Sequence, residues 1–111
     1  MSSAIEFSPV CDIDDITPGT GVCALKNGRQ LALFRPTEEE QVFAIDNMDP
    51  FAHSNVLSRG LICEHDGMLW VASPLKKQRF NLLSGQCLED ERFSVKAYNA
   101  RVIEGRVEVA M

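Results

Sequence analysis

The apolar residues of this chain fall in short runs cut apart by turn residues, and no window sustains the i, i+3, i+4, i+7 spacing of an amphipathic helix. That pattern predicts an all-β fold. The runs that read as strands are Glu6–Cys11, Gly21–Lys26, Gln30–Phe34, Gln41–Asp46, Leu61–His65, Leu69–Ala72, Arg79–Asn81, Phe93–Tyr98, Arg101–Glu104 and Arg106–Val109. Asn27-Gly28 and Glu104-Gly105 sit between such runs, and Asn and Gly supply the positive φ that tight hairpins need, so both links are expected to be hairpins. The acidic stretch Cys11-Asp12-Ile13-Asp14-Asp15-Ile16 has room for a single helical turn before Thr17-Pro18-Gly19 breaks the chain.

A chain of 111 residues, 45% hydrophobic and 24% charged, fits one domain spanning 1–111 and buries enough surface to fold without staples. A net charge of −5 and a pI near 4.9 argue against phosphate-backbone binding and against an anionic membrane surface. The start of the sequence has no basic, apolar leader pattern and no run is long enough to cross a bilayer, so a cytoplasmic setting is expected, with no nucleic-acid or membrane partner. In that reducing compartment Cys11, Cys23, Cys63 and Cys87 are expected to be free and mostly buried.

Several chemistries find no support. His53 and His65 lack the context of a nucleophile–base pair. The glycines are scattered as turn residues rather than gathered in a phosphate loop. Asp12, Asp14 and Asp15 lack the remaining spacing of a calcium loop, and Glu89-Asp90-Glu91 reads as a solvated acidic turn. Trp70 lies in an apolar strand and is expected in the core.

The middle of the chain is irregular over 47–59 and 73–77, and rigid β scaffolds commonly carry function on such loops. These stretches contain Asn47-Met48-Asp49-Pro50-Phe51, Leu57-Ser58-Arg59-Gly60, Ser73-Pro74-Leu75-Lys76-Lys77-Gln78-Arg79-Phe80-Asn81 and Ser84-Gly85. In this order they resemble the Rieske domain, whose two cluster-binding loops read Cys-x-His and Cys-x-x-His. The resemblance implies an antiparallel β-sandwich or barrel with a smaller two-loop subdomain, here 47–85. It also sets Asp49 and Phe51 at the first pair of ligand positions, and Ser73 and Lys76 at the second. A Rieske centre needs two thiolates and two imidazoles, and none of the four is present in that register. An Asp49–Lys76 ion pair between the loops is expected in place of the cluster.

A second register is available. Cys63-Glu64-His65 is itself Cys-x-His and Cys87 follows it, although Asp90 stands where the second His belongs. It would make the chain a Rieske-type electron-transfer ferredoxin using Cys63, His65 and Cys87. A standalone regulatory binding domain is a third reading.

The specific loops, with Val56-Leu57-Ser58-Arg59-Gly60-Leu61-Ile62 and Leu69-Trp70-Val71-Ala72, resemble the small subunits of bacterial NAD(P)H-dependent assimilatory nitrite reductases. That resemblance implies a non-catalytic subunit without cofactors of its own. Its partner is a large subunit that carries FAD, an iron–sulfur cluster and siroheme and reduces nitrite to ammonium. Physically, Lys76, Lys77 and Arg79 form a basic patch beside Pro74 and Leu75, facing Asp49, Pro50 and Phe51; an apolar centre with charged neighbours suits a protein interface.

Overall fold

The computed structural model describes residues 6–110, and among them there is no α-helix. The strands are β1 (Phe7–Asp12), β2 (Thr20–Lys26), β3 (Arg29–Arg35), β4 (Phe43–Asp46), β5 (Met48–Asp49), β6 (Ser54–Asn55), β7 (Leu61–His65), β8 (Met68–Ala72), β9 (Arg79–Asn81), β10 (Ala97–Ile103) and β11 (Arg106–Ala110). Six form one antiparallel sheet in the order β1-β11-β10-β4-β3-β2, β5 and β6 form a small hairpin, and β7-β8-β9 form a three-stranded sheet. The fold is all-β, as expected, with a smaller three-stranded unit beside a six-stranded antiparallel sheet.

Both predicted hairpins are present. Asn27 (φ 52°) and Gly28 (φ 75°) join β2 to β3, while Glu104 (φ 50°) and Gly105 (φ 77°) join β10 to β11. The larger sheet curls until its margins approach: Lys26 of β2 donates to the hydroxyl of Ser8 in β1 and to the Val109 carbonyl (3.1 Å). The acidic segment makes the one expected turn, a 3₁₀ turn at Ile13–Asp15.

β3 explains how the two sheets are coupled. Its run Leu31-Ala32-Leu33-Phe34 is buried throughout, because strand side chains alternate between faces and both faces are covered. Leu31 and Leu33 pack inside the curled sheet with Ile16, Val42, Val107 and Val109. Ala32 and Phe34 point the other way, against Leu57, Val71, Phe80 and Leu82. The three-stranded sheet is thereby seated on the back of β3.

Two strand expectations fail. The runs Phe93–Tyr98 and Arg101–Glu104 are one strand, β10, which begins at Ala97. Phe93 instead ends a 3₁₀ turn, Glu91–Phe93, because the Asp90 carboxylate caps the Arg92 amide (3.1 Å) and Ser94 Oγ donates back to the Glu91 carbonyl (2.7 Å). The stretch after Asn47, expected to be irregular, contains the β5–β6 hairpin.

Candidate functional site: the two proline loops

The two loops are built alike. In the first, Asp49 Oδ1 accepts from the Phe51 amide (2.8 Å) and the His53 amide donates to the Asp49 carbonyl (2.8 Å). In the second, Ser73 Oγ accepts from the Leu75 amide (3.3 Å) and the Lys77 amide donates to the Ser73 carbonyl (3.1 Å). His53 and Lys77 close the loops with positive φ, 52° and 67°. Each loop is therefore a polar residue, a proline, an apolar residue and a left-handed fifth residue, with the polar side chain holding its own turn.

The two polar residues also meet. Ser73 Oγ donates to Asp49 Oδ2, both residues are buried, and the Ala52 amide gives Asp49 Oδ1 a further bond (3.2 Å). Asp49 is 0% exposed, so this bridge is internal. The expected Asp49–Lys76 pair does not form: Lys76 is exposed, and no carboxylate among the described residues pairs with it. A short hydroxyl reaches a buried carboxylate at the loop base, whereas the lysine at the loop tip keeps its ammonium in water.

Asn47 anchors this assembly to the large sheet. Its Oδ1 accepts from the Ser58 amide (2.7 Å), and its Nδ2 donates to Gln30 Oε1 (3.1 Å) and the Asn55 carbonyl (3.2 Å). Phe51 is half-buried between Phe93 (ring centroids 4.7 Å) and Phe80 (6.4 Å). The strand assigned to Phe93 concealed this role; Asp90 two residues before Arg92 was the available sign of a capped turn. Arg79 is not a free cation: it donates to Glu89 from its amide (2.8 Å) and from Nε (2.7 Å). Burial of Glu89 opposes ionisation, but these bonds prevail and hold its carboxyl below the ordinary range.

These residues do not fit a two-iron cluster. Asp49 and Ser73 satisfy each other, Phe51 has no donor atom, and Lys76 points to solvent. The second register fares no better. Ile62, Val71, Phe80 and Cys87 lie in one row across β7, β8, β9 and the segment beyond, which separates Cys63 from Cys87 by three strand spacings, about 14 Å. Asp90 pairs with Arg92 (2.8 Å), and Cys87 is buried with its thiol pushed up chiefly by burial. Among the described residues no group of three or more His, Cys, Asp or Glu is arranged to hold a metal. The cysteine expectation holds for Cys87, whereas Cys11 and Cys63 are half-buried and Cys23 is exposed; all four are free.

A family model described as the Rieske-like [2Fe-2S] domain matches residues 6–110. The nitrite reductase (NADH) small subunit of Salmonella typhimurium is 64% identical over 104 residues, 94% of this chain and 96% of that one. The NMR structure of the E. coli protein NirD superposes with a TM-score of 0.89 at 60% identity, covering 97% of this chain and 98% of that one. A nitrite reductase [NAD(P)H] large subunit from Klebsiella oxytoca contains a matching stretch, 41% identical over 103 residues, which is 93% of this chain and 11% of that protein. Agreement in sequence and fold over nearly the whole chain means that the chain belongs to the family of Rieske-like small subunits of NAD(P)H nitrite reductase.

Proposed function

We propose that this chain is a cofactor-free small subunit of an NAD(P)H-dependent nitrite reductase and binds a large subunit that performs the chemistry. FAD, an iron–sulfur cluster and siroheme reside in that partner, which reduces nitrite to ammonium during nitrate assimilation in the cytoplasm. The observation that carries the reading is the Ser73–Asp49 bridge: the two residues that the Rieske resemblance sets at the cysteine positions bind each other, which supports loops held without a metal centre. The presence of a like stretch inside a large-subunit chain supports a standing association, since one polypeptide there carries both.

The test is co-purification of the tagged chain with its large subunit from cells grown on nitrite, with nitrite reduction assayed with and without this chain. Recovery of a large subunit whose activity or yield depends on the chain is the expected result. An isolated, anaerobically purified chain with visible charge-transfer bands and about two irons would sink the cofactor-free reading.

A further inference from the structure

Most cations of this protein are engaged. Arg29, Arg79, Arg92 and Arg101 pair with carboxylates. Arg35 binds four carbonyls, Lys26 binds Ser8 and the Val109 carbonyl, and Lys96 lies over the Tyr98 ring. Among the described residues Arg59, Lys76, Lys77 and Arg106 have no such partner.

Three of these four belong to one end of the three-stranded sheet. Leu61 pairs with Ala72, so Arg59 and Gly60 lie alongside the start of the second loop. A Cβ on Gly60 would stand 2.3 Å from the Ala72 carbonyl oxygen, which shows how tightly the two segments abut. Two large apolar side chains are bare at the same end: Leu61 is 77% exposed and Leu75 is 55% exposed, with exposed Pro74 beside it. The likeness of the loops sharpens this. Phe51, the apolar residue of the first loop, is covered by Phe93 and Phe80, while its counterpart Leu75 is left open.

We infer that this end, with Leu61, Pro74 and Leu75 ringed by Arg59, Lys76 and Lys77, is the face that docks on the large subunit, against an apolar surface rimmed by carboxylates. The inference rests on the association proposed above and deepens it by naming the surface and its complement. On a protein of net charge −5 a local cluster of unpaired cations orients approach toward an acidic partner and sets register, while the leucines supply the desolvated centre. Of the residues read from sequence as contacts, Asp49 is buried and supports the face from within, while Arg79 is tied to Glu89. A second bare apolar surface, a hollow of about 220 Å³ walled by Phe43, Met68, Leu82 and Leu83, has no cation among its lining residues and makes the rival face.

The experiment measures affinity of the full chain for the purified large subunit at two salt concentrations. Variants are Lys76→Glu/Lys77→Glu, Leu61→Asp/Leu75→Asp, the rival-face Leu83→Asp, and Arg106→Glu as a distant charge control, each checked by thermal melting. Both variants of the proposed face should raise Kd about tenfold or more with melting little changed, and the lysine reversal should also flatten the salt dependence. Arg106→Glu and Leu83→Asp should bind as the parent does. Parent binding that survives both variants, or that is lost only with Leu83→Asp, overturns this face while leaving the association intact. A parent chain that fails to bind overturns the association, and the face with it.

Discussion

The Ser73 hydroxyl donates to the carboxylate of Asp49, 24 residues away in sequence, and so joins two loops that otherwise share no backbone pairing. Asp49 also receives the Phe51 and Ala52 amides, so its removal strands three donors in the interior. Asp49→Ala should destabilise by about 3 kcal/mol and Ser73→Ala by about 1–2 kcal/mol. Because the residues act on each other, the double variant should cost less than the sum of the two. Denaturant melts of the four proteins check this; strict additivity would mean that the bridge contributes nothing.

Phe51, which the Rieske resemblance sets at the first imidazole position, turns inward against Phe93 and Phe80. A fully buried phenylalanine truncated to alanine costs about 3–5 kcal/mol, and half-burial lowers the expectation for Phe51→Ala to about 2 kcal/mol. Phe93→Ala should cost less, since Phe93 is itself 39% exposed, and the pair should couple in a double-mutant cycle. A melting temperature unmoved by Phe51→Ala would place its ring in solvent.

What could be read in advance divides along a physical line. The strand Gln30–Phe34 was legible because an unbroken apolar run admits few arrangements once helical spacing is absent, and the two hairpins were legible because positive φ restricts residue choice. The two loops were legible, since Asp49, Phe51, Ser73 and Lys76 all lie on them. Their partners were not. Opposite charge suggested Asp49 with Lys76, yet depth in the loop decides the matter, and Ser73 at the base reaches where Lys76 at the tip does not. The same gap hid Arg59 and Leu61: a regular strand pattern says nothing about which end of a sheet is left uncovered.

Asn47 tests how the loops are coupled to the scaffold. Its amide nitrogen faces three acceptors, Gln30 Oε1, the Asn55 carbonyl and Cys23 Sγ, and its oxygen faces the Ser58 amide. Asn47→Asp keeps the shape but sets an oxygen against these acceptors at a site 1% exposed, and should destabilise by about 3 kcal/mol at neutral pH. Hydrogen exchange should quicken at Leu57 and Ser58, whose amides bond to Asn47. Unchanged protection there would show that the first loop is held by other contacts.

The cysteines give a test that needs no substitution. Cys23 is exposed, whereas Cys87 is buried and Cys11 is half-buried with its thiol pushed up to about 11, first by desolvation and then by Asp15 and Asp12. The thiolate is the reactive form, so at pH 8 only about one Cys11 in a thousand is poised to react. A thiol-directed alkylating agent at that pH should label Cys23 first, leave Cys11 slow through its proton, and leave Cys87 slow through burial. Raising the pH toward 11 should accelerate Cys11 steeply, because its deficit is one of ionisation; Cys87 should respond mainly to denaturant, because its deficit includes access. Mass spectrometry of the labelled peptides distinguishes the two, and rapid labelling of Cys87 in the native protein would contradict its place against Phe80 in the core.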